Sequence, residues 1–174
     1  MKNIELKIFL DDFKDINFIL KKIGAKYKGK FHQVDVYYWC KGGRLKLRKI
    51  DGQNFELIFY KRSDSNHSRL SDYQIFSIPK KRIKPIKSIL NKVYGEKNIV
   101  RKERSLWIYK HTRIHFDNVV KLGKFLELET VMEKINFKQA MKEYDKIVKM
   151  LNLSKYKIYN KSYSDLLLKE QVLV

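Results

Sequence analysis

RIHFDNVVKLGKFLELE, Arg113–Glu129, alternates polar or charged residues with apolar ones in two blocks, RIHFD and LELE. Side chains two apart on a β-strand point the same way. RIHFD therefore puts Arg113, His115 and Asp117 on one face and Ile114 and Phe116 on the other. FLELE puts Glu127 and Glu129 together, with Leu126 and Leu128 behind them. Each block reads as a strand with one apolar face and one densely charged face.

The same pattern extends outward in both directions. GRLKLR gathers Arg44, Lys46 and Arg48 opposite Leu45 and Leu47. FELIFYKR gathers Glu56, Ile58, Tyr60 and Arg62 opposite Phe55, Leu57, Phe59 and Lys61. Glu5 and Lys7 share a face of the first strand, Asn3 to Leu10, while Arg69 and Ser71, and Lys102 and Arg104, form further pairs. A half-buried antiparallel sheet produces such alternation strand by strand. A solvated face mixes Lys with Glu along each strand, however, whereas here the charges segregate. Acids collect at Glu5, Asp117, Glu127 and Glu129, and bases at the eight positions Arg44, Lys46, Arg48, Arg62, Arg69, Lys102, Arg104 and Arg113. Arginine prevails at those positions although lysine dominates elsewhere, and its planar fork suits bidentate contact with phosphate.

Helical spacing separates the strand blocks. Asp11 and Asp12 stand where they can cap a helix carrying Phe13, Ile16, Ile19, Leu20 and Ile23, stopped at Gly24. Ile86, Ile89, Leu90 and Val93 define a second helix between Pro79 and Gly95. The clearest helix runs from Phe137 to Leu151 with Asn136 as its N-cap, and a short one covers Ser162 to Lys169. Strands run from Gln33 to Tyr73, with turns at Lys41-Gly42-Gly43 and Asp51 to Asn54, and again from Ile99 to Met132. Strands in blocks with helices interspersed predict a single antiparallel α+β domain over residues 1–174.

Composition bounds the partner. The net charge is +20, hydrophobic residues make up 44%, and no run is long enough to span a bilayer. Acids at Asp11 and Asp12 interrupt any signal-like run, and one cysteine, Cys40, permits neither an internal disulfide nor a cysteine-based zinc site. A cytoplasmic protein with an anionic partner follows. A closed barrel with the charged faces inward would have an acidic wall able to hold Mg²⁺ or Mn²⁺ and a basic wall for phosphate oxygens. Eight cations exceed what one monophosphate needs and fit a linear triphosphate. Cations that alternate with leucine and isoleucine on strands, without a helix-turn-helix, RNA-recognition or zinc-finger pattern, argue against nucleic acid as the main partner.

These residues resemble the CYTH family of triphosphate tunnel enzymes, and within it the class IV adenylyl cyclase branch. The resemblance runs from NIELK to KSYSDLLL; its most specific parts are QVDVYYW with GGRLKLR, LIFYKR with RLSDY, and RIHFDNVVKLGKFLELE. It implies an eight-stranded antiparallel barrel closed into a tunnel, with helices outside, and a divalent metal. The implied reaction is first the conversion of ATP to cyclic AMP and pyrophosphate; the alternatives are hydrolysis of tripolyphosphate or thiamine triphosphate, and a non-catalytic binder of nucleotide or polyphosphate. It also suggests a homodimer. By resemblance Glu5, Asp117, Glu127 and Glu129 are the metal-side carboxylates. Arg48, Arg62, Lys102, Arg104 and Arg113 are the phosphate-side cations, assisted by Lys46 and Arg69. Lys7 matches the lysine of the opening signature, and Tyr37 a tyrosine that works with it in some hydrolytic members. The signature Glu-x-Glu-x-Lys departs here, because Asn3 stands where its first glutamate is expected.

Other residues have plainer readings. His115 reads as a polar packing residue ahead of a ligand or base, Gly42-Gly43 as a hairpin turn, and Trp39 and Trp107 as rim or core packing ahead of stacking on a base or thiamine ring. Lys80 to Lys87 read as a solvated helix entry.

Overall fold

The apolar faces of the strands are covered by helices on the outside, and the sheet closes on itself with its charged faces turned inward. The computed structural model describes residues 2–62 and 70–171. Its eight strands are β1 (Lys2–Leu10), β2 (Lys26–Tyr38), β3 (Arg44–Ile50), β4 (Asn54–Arg62), β5 (Leu70–Ile78), β6 (Glu96–Tyr109), β7 (Thr112–Val119) and β8 (Gly123–Val131). They close in the order β1-β5-β4-β3-β2-β6-β7-β8, and every paired neighbour is antiparallel. The predicted eight-stranded closed barrel with external helices is the fold observed.

Helices α1 (Lys14–Lys22), α2 (Ile83–Tyr94) and α3 (Phe137–Met150) cover the outside. The main core lies there and not in the barrel. Ile4, Leu6, Ile8, Ile114, Leu126 and Leu128 on the outer barrel face meet Ile16 and Leu20 of α1 and Ala140, Tyr144 and Ile147 of α3. A smaller cluster seats Leu90 of α2 on Val36, Tyr38, Leu45 and Leu47. Asn136 caps α3 reciprocally with Gln139, each side chain accepting from the other's backbone N–H. At α1 the aspartate works one step earlier than predicted: Asp12 accepts from the Lys14 N–H, while Phe13 holds the cap position. The turn at Asp51-Gly52 takes positive φ at both residues, as a tight hairpin requires. β2 starts at Lys26, seven residues before the predicted Gln33, because its whole first half pairs with β6.

The fourth helix, α4 (Tyr163–Gln171), has a different task. Tyr163 and Leu167 pack on Tyr37, Val100, Val119 and Phe125, all at one end of the barrel interior. Asp165 pins the helix there by accepting from Arg44 of β3 and Lys97 of β6, and Asn98 and Ser164 exchange two further hydrogen bonds. α4 thus stoppers one end of the barrel. The β3–β4 turn and the Ile78-Pro79-Lys80 corner surround the other end.

Candidate functional site

The barrel encloses a cavity of about 730 Å³ lined by inward residues of all eight strands and by Ser162 and Tyr163 at the stopper. Its middle is polar. Two lysine-arginine pairs, each two residues apart on one strand, are held by one buried aspartate from the neighbouring strand. On β6, Lys102 Nζ donates to Asp117 Oδ2 at 2.8 Å, and Arg104 donates through Nε and Nη2 to the two Asp117 oxygens at 2.6 Å each. On β3, Lys46 Nζ donates to Asp35 Oδ2 at 2.9 Å, and Arg48 donates to both Asp35 oxygens at 2.7 and 2.8 Å. The registers match: Asp117 faces Arg104 directly, as Asp35 faces Arg48. Strand pairing therefore builds the same clamp twice, and because β2 pairs with β6 the two clamps stand side by side.

Burial sets the protonation of these groups. It opposes ionisation of Asp35, but the charges of Arg48 and Lys46 win and hold that carboxyl well below its ordinary range. Asp117 is likewise driven up by burial and down by Arg104 and Lys102, ending at about 2. Lys46 is pushed down to about 8, first by burial and then by the neighbouring Arg48 charge, with Asp35 opposing. Burial and the Arg104 charge lower Lys102 as well. Burial, then Asp117, raises the Tyr163 hydroxyl, which donates to Asp117 at 3.1 Å.

The acidic side lies on β1 and β8. Glu5 stands opposite Glu129 in the register, and Lys7 opposite Glu127. Lys7 Nζ lies 3.2 Å from Glu127 Oε1 and donates to the Lys161 carbonyl. Glu127 Oε2 also accepts from Arg104 at 2.6 Å, so Arg104 bridges the basic clamp to the acidic side. Burial opposes ionisation of Glu127, and Lys7 leads the contributions that hold it well below the usual carboxylate range. His115, opposite Glu127 on β7, completes a group in which the ligand atoms of His115, Glu127 and Glu129 all lie within 4.8 Å of one another. The clustered atoms of His115, Glu127 and Glu129, one nitrogen and two carboxylate oxygens, are a donor set that fits a metal ion.

The structure brings most of the predicted site residues together. Glu5, Lys7, Tyr37, Lys46, Arg48, Lys102, Arg104, Arg113, Glu127 and Glu129 line the cavity. Asp117 lies behind its wall, fully buried, its oxygens on Lys102, Arg104 and Tyr163. Arg44 shares the parity of Lys46 and Arg48 but stands outside the cavity, in a second hollow with Lys97 and Asp165. Arg62 ends β4 opposite Ser71. Arg69 lies outside the described residues. Trp107 is buried in the core, and Trp39 sits exposed at the rim beneath Lys97.

Some residues went unread in the sequence. Asp35 was legible in principle, since QVDVYY places it on one face with Gln33 and Tyr37. Lys80 reaches the open mouth of the cavity from its otherwise solvated run. Phe31, Ile50, Phe55, Ile78 and Leu106 also line the cavity, around that mouth. Tyr163 carried no local signal.

A profile of the CYTH domain matches residues 1–163. The Methanocaldococcus jannaschii protein named "Putative adenylate cyclase MJ0240" is 29% identical over 177 residues, covering 95% of this chain and 98% of its own. Among solved structures, protein PH1012 from Pyrococcus horikoshii OT3 superposes with a TM-score of 0.79 at 23% identity, over 94% of this chain and 98% of that one. HpAC1 from Hippeastrum, named a "Putative adenylyl cyclase" with dominant triphosphatase activity, has a TM-score of 0.65 at 11% identity, over 97% of this chain and 95% of its own. No helix among the described residues is long and apolar enough to cross a membrane.

Proposed function

The chain belongs to the CYTH domain family, and from that membership we propose that it converts ATP to cyclic AMP and pyrophosphate. One observation carries this reading: the cavity is cationic in its middle, stoppered by α4 at one end, and apolar and aromatic at its open mouth. A triphosphate enters tail first, its phosphates reach the two clamps, and its nucleoside stays against Phe31, Ile50, Phe55 and Leu106 at the mouth. An inorganic polyphosphate has no use for those apolar groups.

In this reading Arg48, Lys102, Arg104 and Lys46 bind phosphate oxygens and stabilise the pyrophosphate as the ribose 3′-oxygen displaces it from the α-phosphorus. Asp35 and Asp117 fix the positions of those cations before substrate arrives, so little reorganisation is needed at the moment of reaction. Lys7 holds Glu127, and Arg113 helps from the side of Glu129. Tyr163 and its helix exclude water from the deep end. Glu5, Glu127 and Glu129 are the carboxylates that would hold Mg²⁺ or Mn²⁺, and the ion would supply neutralisation of phosphate charge and polarisation of the reacting oxygens.

Hydrolysis is the second reading, supported by the dominant triphosphatase activity named for HpAC1. Incubation with ATP, tripolyphosphate and thiamine triphosphate, each with Mg²⁺, Mn²⁺ or chelator, separates the two. Metal-dependent cyclic AMP with equimolar pyrophosphate is the expected result. Orthophosphate without cyclic AMP would move the assignment to a hydrolase.

Lys46 gives the site a pH limit. In the substrate-free protein its ammonium is lost as pH rises through about 8, so kcat/KM is expected to decline above that pH. Lys46→Arg keeps the charge at every accessible pH and should move the alkaline limb upward by a unit or more. A limb unchanged in Lys46→Arg would assign it to another group.

A further inference from the structure

The structure assigns a role to His115 that deepens the metal-dependent reading above and rests on it. We propose that His115 is a direct ligand, through Nδ1, of the divalent cation held by Glu127 and Glu129, so that this site prefers Mn²⁺ to Mg²⁺. The ring is only 4% exposed and lines the cavity, yet its Nδ1 has no hydrogen-bond partner. A buried nitrogen left unsatisfied is destabilising, and native interiors tolerate that where an ion or water completes the group.

Its surroundings point to a cation. Nδ1 lies 3.6 Å from Glu129 Oε1 and 3.9 Å from Glu127 Oε2, too long for hydrogen bonds. Donors bound side by side on one small octahedral ion stand about 3 Å apart. Small side-chain adjustments would therefore bring all three atoms onto one ion. The scaffold beneath is stiff: His115 and Glu127 are register partners on β7 and β8, and Glu129 is two residues along the same strand. Neutral imidazole has a lone pair at Nδ1 when the proton sits on Nε2.

Ligand chemistry sets the selectivity. Mg²⁺ is served by oxygen donors and retains its waters, whereas imidazole suits later ions and binds Mn²⁺ more readily. Asn3 stands where the opening signature would carry a carboxylate; one anionic donor fewer makes a neutral nitrogen donor count for more.

The test uses the full chain with Mn²⁺ alone, read by pulsed electron paramagnetic resonance and by calorimetry against Mg²⁺. Expected is nitrogen modulation on bound Mn²⁺ that disappears in His115→Asn, together with a fall in the Mn²⁺-over-Mg²⁺ preference on the order of tenfold. Glu129→Gln leaves the histidine in place and should weaken Mn²⁺ binding on the order of tenfold or more. This variant keeps the inference testable if His115→Asn does not fold. Bound Mn²⁺ without nitrogen modulation, modulation that persists in His115→Asn, unaltered Mn²⁺ binding in Glu129→Gln, or no Mn²⁺ binding at all would each overturn it. Nitrogen-coordinated Mn²⁺ in a protein that turns over no triphosphate would uphold His115 as a ligand while removing the enzymatic reading.

Discussion

Arg104→Ala is expected to lower kcat/KM for ATP by about 10³-fold and to cost about 3–5 kcal/mol of stability. Both effects come from one guanidinium. Its Nε and Nη2 occupy the two oxygens of Asp117, and the same Nη2 donates to Glu127 Oε2. Removing it leaves buried Asp117 with Lys102 and the Tyr163 hydroxyl, and half-buried Glu127 with Lys7, each short of its strongest partner. It also removes the cation that stands between the basic clamp and the acidic side, where phosphate and metal would meet. Arg104→Lys keeps the charge but loses the fork, so it can hold Asp117 or Glu127 but not both. That variant should recover most of the stability and little of the turnover. Thermal unfolding and steady-state kinetics measured on the same preparations read the two effects separately; a loss of about 3–5 kcal/mol would lower Tm by roughly 10 °C in a chain of this size. Turnover near that of the wild type in a folded Arg104→Ala protein would remove the tunnel from the chemistry.

Much of this arrangement was legible in the order of residues, for a physical reason. A strand's two faces are fixed by parity alone, so GRLKLR, RIHFD and FLELE declare which side chains share a surface before any partner strand is known. What parity leaves open is which strands meet. The return of β5 to β1, and the long β2–β6 pairing, depend on contacts between segments far apart in the chain. Asp35 shows the consequence. Its parity with Gln33 and Tyr37 was visible, but a lone acid between Val34 and Val36 gains meaning only when the register sets it opposite Arg48. Arg44 shows the converse: it has the parity of Lys46 and Arg48, yet it lies past the stopper and is committed to Asp165. The stopper itself was unreadable beyond a helix packing on the body. Its place depends on Tyr163 meeting Asp117 and on Asp165 meeting Arg44 and Lys97, none of them local in sequence. His115 read as packing because nothing in RIHFD says that its Nδ1 lacks a partner.

The Asp35 clamp yields the second large effect, and its pH dependence separates charge from shape. Asp35→Asn preserves the outline of the side chain but leaves the Lys46 and Arg48 charges buried without an anion, which should cost about 3–5 kcal/mol at pH 7. The folded-state pKa of Asp35 lies well below its ordinary 3.8. A carboxylate depressed in this way contributes stability that is fully present above the unfolded-state pKa and is lost as pH falls through the folded one. The stability gap between wild type and Asp35→Asn that comes from the Asp35 charge should therefore shrink steadily as pH falls below 3.8. Asp117, held at about 2, stays intact in the variant and keeps an acid limb of its own, so the variant's stability still falls with acid, only less steeply. Urea unfolding across this range measures the gap directly. A gap that does not narrow in acid would mean that Asp35 acts through hydrogen-bond geometry and not through its charge. The kinetics give an independent reading of the same clamp. Asp35 is the group that opposes the downward push on Lys46, so in Asp35→Asn the lysine should lose its proton at lower pH than in the wild type. The alkaline limb of kcat/KM would then move below its position near 8 in Asp35→Asn and above it in Lys46→Arg. Opposite displacements from the two partners of one hydrogen bond are what a shared electrostatic clamp requires, and two unrelated defects would not produce them.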